Sequence, residues 1–199
     1  MTKTLFRYFV LILAITFVST FFAWAEEIKE ERSSWLQGIE VLTGYSQAEL
    51  DVQGKLRAVP LIVDLDFDLK PLLEKINFKY FGMLQFQLEP YITTIYEPAS
   101  DVELGNAFAL KIGLVPAEWK FQPYIKMATG LSYMTLHTQE QGTQFNFIEY
   151  GGAGFHYYFN TNWGITAEYR FRHLSNSGID EPNSGINTDF ALLGLTYQF

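Results

Sequence analysis

The 199-residue sequence contains no cysteine, which excludes a disulfide framework and a thiolate metal site. Basic residues are also scarce, with 14 lysines and arginines against 22 aspartates and glutamates. The resulting net charge of −8 argues against nucleic-acid binding, which requires basic surfaces. Beyond residue 25 there is no apolar run of the roughly 20 residues that a membrane-spanning helix needs. Aromatic residues, by contrast, are abundant and make up 17% of the chain.

The first 25 residues have the pattern of a secretory signal peptide. Lys3 and Arg7 give a positive start, and an apolar stretch follows from Tyr8 to Phe22. Ala23-Trp24-Ala25 then matches a small-x-small cleavage site. A transmembrane anchor is the alternative, but the apolar stretch is shorter than a spanning helix requires. We therefore predict a signal peptide over residues 1–25 and one domain over residues 26–199, with 12 basic and 22 acidic residues and a net charge of −10.

From Trp35 onwards the hydrophobic pattern has a period of two, which is typical of β-strands with two different faces. The clearest case is Leu61–Leu69, where odd-numbered apolar residues alternate with three aspartates. Carboxylates two residues apart on a strand are separated by about 7 Å, which is too far for a compact metal cluster. We interpret them as charges that line a barrel, together with similarly placed residues on later strands. The predicted interior set is Asp64, Asp66, Asp68, Gln85, Glu89, Lys111, Lys126, Glu168, Arg170 and Arg172.

The pattern predicts eight strands, at Leu36–Tyr45, Leu61–Leu69, Met83–Ile95, Leu104–Val115, Pro123–Leu136, Phe145–Phe159, Trp163–Ser175 and Thr188–Phe199. The segment Lys70–Tyr80 breaks the alternation and is predicted to hold a turn or a short helix. Ser46–Arg57 and His137–Thr143 are predicted to be the long polar loops.

Strands of about ten residues cross a bilayer when they are tilted, and bacterial outer-membrane barrels have even strand numbers. The terminal Phe199 resembles the C-terminal assembly signal of such barrels. A soluble lipocalin-type barrel is the alternative, but it would need an apolar interior and a polar exterior. Here the polar faces carry both acids and bases, which suits an interior where buried charges pair. We predict an all-β fold, an eight-stranded antiparallel transmembrane β-barrel of the bacterial outer membrane.

His173 and Ser175 end the seventh predicted strand and share its odd-numbered, apolar face. A turn rich in glycine, proline and asparagine follows them. These are the residue types of a base and a nucleophile in an acyl hydrolase, although interfacial polarity and simple turn chemistry would also account for them. With both termini on the periplasmic side, this strand end would lie at the outer leaflet, and the pair would face lipid.

The stretch from His173 to Asn187 resembles the signature of the PagL-type lipid A 3-O-deacylases, which are eight-stranded outer-membrane esterases. The matching residues are His173-Leu174-Ser175-Asn176, Gly178, Pro182-Asn183 and Gly185-Ile186. The resemblance implies that Ser175 is the nucleophile and His173 its base. It also implies that the backbone amides around Asn176 and Gly178 form the oxyanion hole and that Asn183 helps to hold the loop.

The third member of the catalytic group departs from the family pattern, because well-studied members have a glutamate where this chain has Asn187. An amide can orient an imidazole, as in papain-like proteases, but it cannot stabilise an imidazolium by charge. Asp189 has the same strand parity and is the alternative third member.

Two functions from different classes are consistent with these patterns. The first is a serine esterase that removes the 3-O acyl chain of lipid A, without metal or cofactor. The second is a non-enzymatic small barrel with a structural or adhesive role, in which Ser46–Arg57 and His137–Thr143 would carry binding. For the esterase, the expected partners are lipopolysaccharide and outer-membrane lipid, and the sequence leaves a homodimer open.

Overall fold

The computed structural model describes residues 35–199, so the predicted signal peptide lies outside the described residues. Antiparallel strands follow one another around a closed barrel, and the last strand pairs with the first. Within residues 35–199, no helix has the length and apolar character to cross a membrane. The strands are β1 (Leu36–Leu50), β2 (Gly54–Asp68), β3 (Gly82–Glu97), β4 (Asp101–Pro116), β5 (Phe121–Met134), β6 (Phe145–Tyr158), β7 (Trp163–Ser175) and β8 (Ile186–Gln198), with a short helix α1 (Lys70–Glu74) between β2 and β3. The predicted eight-stranded barrel is confirmed.

The middle of the barrel interior is a network of paired charges. Lys126 Nζ lies 2.7 Å from Glu89 Oε1, 3.1 Å from Asp64 Oδ2 and 3.1 Å from Glu168 Oε2. Paired groups of this kind avoid the large free-energy cost of an isolated buried charge. All the side chains predicted to line the interior are buried, which confirms the assignment of the polar face of each strand to the interior: Asp64, Asp66, Asp68, Gln85, Glu89, Lys111, Lys126, Glu168, Arg170 and Arg172.

The outer wall has the opposite character. Large apolar side chains such as Phe108, Met127 and Ile165 are exposed on it, as the apolar face of each predicted strand requires. From the middle of β7, the Tyr169 hydroxyl reaches towards the outer end and donates a hydrogen bond to Asp189 Oδ1 on the neighbouring strand. Tyrosines are enriched at the membrane–water boundary, where the ring is in apolar surroundings and the hydroxyl reaches polar groups. An apolar wall with a polar interior excludes the soluble, lipocalin-type alternative.

The predicted loop Ser46–Arg57 is wrong, because β1 continues to Leu50 and β2 begins at Gly54. Polar and apolar residues still alternate through this hairpin, but the apolar residues face the interior here, whereas in the membrane wall they face outwards. Small or apolar residues point inwards and are buried, while polar residues point outwards and are mostly exposed. The inward set is Ser46, Ala48, Leu50, Leu56 and Ala58. A strand that extends beyond the lipid into water buries its apolar side inside the barrel, so the hairpin resembles a loop in composition alone.

The apolar residues of this inward set, Ala48, Leu50, Leu56 and Ala58, belong to an apolar cluster that fills the outer end of the barrel. Leu174 of β7 and Ile186 of β8 are part of the same cluster and are 0% and 2% exposed. Close packing of this kind holds backbone positions with little freedom. The outer ends of β7 and β8 are therefore fixed from the inside, while their outward-facing side chains remain accessible.

Candidate active site

His173 and Asn187 meet across the last two strands. They are directly opposed in the β7–β8 ladder, and the distance from His173 Nδ1 to Asn187 Oδ1 is 2.8 Å. This contact exists because β8 begins at Ile186, two residues before the predicted Thr188, so that Asn187 lies within the ladder. An amide oxygen only accepts hydrogen bonds, so Nδ1 carries the proton and Nε2 keeps its lone pair. The arrangement leaves Nε2 of the neutral ring able to accept a hydrogen bond or a proton.

Ser175 is the last residue of β7 and lies on the same face as His173. Alternate residues on a strand are separated by about 7 Å along the chain, so a serine side chain can turn towards the imidazole. The hydroxyl of Ser175 has no hydrogen-bond partner among residues 35–199, and the side chain is half-buried. It is thus available to a ligand that approaches along the outer wall.

Asp189, the alternative third member, is the next outward-facing residue of β8 after Asn187, so it lies further from the start of that strand. It is opposite Phe171 rather than His173, and its Oδ1 accepts the hydrogen bond from the Tyr169 hydroxyl. Asn187, not Asp189, therefore contacts the imidazole in this structure.

The β7–β8 loop is organised by two asparagine side chains. Asn183 Oδ1 accepts a hydrogen bond from the Asn176 backbone N–H at 2.8 Å, and Asn176 Oδ1 accepts one from the Gly178 N–H at 2.9 Å. Both amides suggested for an oxyanion hole therefore have acceptors within the loop. The Nδ2 donor of Asn183 makes no hydrogen bond to the part of the chain that the structure describes, so it is free to act on a ligand.

Gly185 packs directly against the imidazole of His173. Its φ is +81°, in the left-handed region that favours glycine. A β-carbon at this position would lie only 3.0 Å from His173 Nε2 and 3.4 Å from Nδ1. Because residue 185 has no side chain, the His173 ring has room to lie where it contacts Asn187.

The predicted loop His137–Thr143 lies between β5 and β6, and it braces the β7–β8 loop. Gly142 N–H donates to Pro182 O at 2.6 Å, and Ser184 N–H donates to Glu140 O at 3.0 Å. Glu140 Oε1 in turn accepts a hydrogen bond from the Asp51 N–H in the β1–β2 turn at 2.7 Å. Two loops and one hairpin thus hold the backbone beside His173.

Two depressions on the outer wall approach the site from β8 and β1. A polar cleft of about 380 Å³ includes Gly185, Asn187 and Asp189 in its lining. Closer to the membrane centre, an apolar groove of about 550 Å³ is lined by residues that include Tyr169, Ala191 and Leu193. A polar cleft above an apolar groove suits a ligand with a polar head and a hydrocarbon tail.

Sequence reasoning did not single out Glu149 as a neighbour of His173. It lies on β6 directly opposite His173, on the side away from Asn187. Its odd number predicts an outward-facing side chain on β6, but the sequence does not reveal the β6–β7 register that places it opposite His173.

Within residues 35–199, no group of three or more histidine, aspartate or glutamate side chains could hold a metal ion.

Comparisons with known proteins bear on the family and on the fold. The family model described as "Lipid A 3-O-deacylase (PagL)" matches residues 63–196. The structure of the outer-membrane enzyme PagL is similar at 21% identity and a TM-score of 0.54, covering 79% of this chain and 97% of that one. Neisserial surface protein A is similar at 11% identity and a TM-score of 0.63, covering 82% and 97%. At these identities the two structures show the fold alone. No curated protein matches the chain.

Proposed function

The chain belongs to the lipid A 3-O-deacylase (PagL) family and lies in the bacterial outer membrane, and we propose that it is a serine esterase that removes the 3-O acyl chain of lipid A. The observation that carries the proposal is the 2.8 Å hydrogen bond between His173 and Asn187, on the same wall as Ser175. It leaves His173 Nε2 available as a base on the face that it shares with Ser175, whose hydroxyl bonds to no group in residues 35–199, His173 included.

In the proposed reaction, Ser175 Oγ attacks the ester carbonyl carbon while His173 Nε2 takes the hydroxyl proton. The tetrahedral intermediate then collapses, the sugar oxygen leaves with the proton from Nε2, and the acyl chain stays on Ser175. Water attacks this acyl-enzyme with His173 again as base, which releases the fatty acid and restores the serine. Asn187 keeps the imidazole in the tautomer and orientation that both steps need.

The negative charge on the intermediate requires hydrogen-bond donors. We propose Asn183 Nδ2 as one donor, because its oxygen already fixes Asn176 and its nitrogen has no described partner. The amides of Asn176 and Gly178 would join it only if the substrate displaces the side-chain oxygens that they now bind.

A site on the outer wall suits a substrate that is itself part of the membrane. His173 and Ser175 lie beyond Tyr169, whose hydroxyl reaches Asp189 near the outer end of the wall. The ester of a lipid would meet the serine there, with the polar head in the cleft and the acyl chain along the apolar groove. No passage through the barrel is required.

The alternative, a structural or adhesive barrel, depended on two long binding loops. One of them is the β1–β2 hairpin, and the other is engaged in bracing the β7–β8 loop. The chain therefore offers less free loop surface than that function would require, and we favour the esterase.

Mass spectrometry of lipid A after incubation with purified, refolded protein tests the proposal. We expect the loss of one ester-linked hydroxyacyl group from position 3, with every amide-linked chain retained. Protein that has been heat-unfolded serves as the control and should leave lipid A intact. Unchanged lipid A after incubation with protein that migrates as a folded barrel would contradict the proposal.

Gly185→Ala should lower the deacylation rate by at least about tenfold, since a misplacement of 1 Å in a catalytic group can cost 10²-fold. Gly54 provides the matched control, because its φ of +82° is nearly the same and a β-carbon there would meet nothing within 4 Å. Asparagine tolerates left-handed backbone better than alanine does. Gly54→Ala and Gly54→Asn should therefore retain activity, whereas neither Gly185→Ala nor Gly185→Asn should. Full activity in Gly185→Asn would show that backbone conformation, and not space for the imidazole, is what matters.

A further inference from the structure

His173 has a neighbour on each side of its strand. On the β8 side it meets Asn187, and on the β6 side it is directly opposed to Glu149. Directly opposed residues of antiparallel strands share a face, with β-carbons about 4.5–5.5 Å apart. The three side chains therefore form a row across β6, β7 and β8 on the outer wall.

Glu149 is exposed, and its carboxylate makes no hydrogen bond or ion pair with residues 35–199. The other carboxylate near the imidazole, Asp189, is bonded to Tyr169 and lies opposite Phe171. The interior acids, such as Glu89 and Glu103, are paired with arginines on the other side of the wall. Glu149 is thus the carboxylate that faces His173 directly and is not engaged by another described group.

The proposed reaction creates a need for negative charge at this point. When His173 accepts the serine proton, it becomes a cation, and the amide of Asn187 can orient that cation but cannot neutralise it. Opposite charges attract more strongly where lipid and protein displace water, because the effective dielectric constant is lower there. A carboxylate across the strand from the ring would stabilise the imidazolium as it forms.

We propose that Glu149 supplies this charge and that the catalytic role of one acid is divided here between two residues. Asn187 orients the imidazole by a hydrogen bond, and Glu149 stabilises its cationic form from the opposite strand. Glu149 is a positioning residue in the sense that it acts through His173 and does not touch the reacting atoms. The inference rests on the esterase function proposed above.

Glu149→Gln removes the charge while it preserves the size of the side chain. We expect kcat to fall by about fivefold with KM unchanged, which corresponds to the loss of a cross-strand charge pair. Introducing Asn187→Glu into the Glu149→Gln protein should restore kcat, because it returns a carboxylate to the imidazole from the other side. Glu97→Gln is the matched control, because Glu97 is an acid at the outer end of β3 that pairs with Arg57 at 2.9 Å. It should leave both constants unchanged.

Three results would contradict the proposed role of Glu149. An unchanged kcat in Glu149→Gln would overturn the proposal, and so would a higher KM at constant kcat, which would indicate that Glu149 contacts the substrate. A double variant that stays as slow as Glu149→Gln would also overturn it, because a restored charge must restore the rate. Inactive wild-type protein in the same assay would instead contradict the esterase function itself. The two failures are therefore distinguishable.

Discussion

Ser175→Ala and His173→Ala are each expected to lower the rate of lipid A deacylation by about 10³-fold or more while the barrel stays folded. Ser175 forms the covalent bond in the proposed reaction, and alanine has no atom that could replace its oxygen. His173 takes the serine proton, so its loss leaves an un-ionised hydroxyl, which is a weak nucleophile.

The fold should tolerate both changes, because neither side chain holds buried structure. The Ser175 hydroxyl has no hydrogen-bond partner in residues 35–199, and within the same range the outward-facing His173 ring bonds only to Asn187. Substitutions at such positions usually change the free energy of unfolding by about 0.5 kcal/mol or less. The buried residue between them, Leu174, remains in place and keeps the strand end packed.

The measurement is the initial rate of acyl release, with folding checked by the gel shift of the unheated barrel. Ser177→Ala is the control, since Ser177 is an exposed serine of the same loop and should be dispensable. The double variant Ser175→Ala/His173→Ala should be no slower than either single variant, because nucleophile and base act as one unit. Substantial activity in folded Ser175→Ala protein would rule out the serine mechanism.

The barrel could be predicted from sequence because its wall is repetitive. Each strand presents an apolar outer face and a polar inner face, so Asp64, Lys126 and Arg170 were assigned to the interior from parity alone. The same rule failed at the β1–β2 hairpin, where Leu50 and Leu56 point inwards because the surroundings outside are water and not lipid. Alternation identifies two faces of a strand, but the solvent on each side decides which residues occupy them.

The contacts around His173 could be predicted only in part. Parity placed Ser175, Asn187 and Asp189 on one face, but only the register of β7 against β8 brings Asn187 opposite the imidazole. Glu149 comes from another hairpin, so its position depends on the β6–β7 register, which no local pattern encodes. The approach of Gly185 to the ring depends on a loop braced by residues about 40 positions earlier in the chain, which sequence periodicity does not describe.

The second prediction with a large expected effect concerns which residue is the third catalytic member. Asn187→Ala should lower kcat by about 10²- to 10³-fold, because a general base contributes about 10²- to 10⁴-fold only when it is correctly positioned. Without the hydrogen bond to Nδ1, the imidazole is free to rotate, and either nitrogen can carry the proton. Asp189→Ala should have little effect on the rate, because Asp189 contacts Tyr169 and lies opposite Phe171.

Asn187→Glu separates orientation from charge at the same position. A carboxylate there can accept a hydrogen bond from Nδ1–H as the amide does, and its bond to the imidazolium is charge-assisted and roughly twice as strong as a neutral one. Turnover should therefore rise above that of the wild type, and Asn187→Asp, which is isosteric with the asparagine and keeps an oxygen at the same place beside Nδ1, should raise it as well. If Asp189 is the true partner of His173, the pattern inverts: Asp189→Ala loses most of the activity and Asn187→Glu gains nothing. Initial rates of the single variants on lipid A, each checked for folding by gel shift, decide between the two residues.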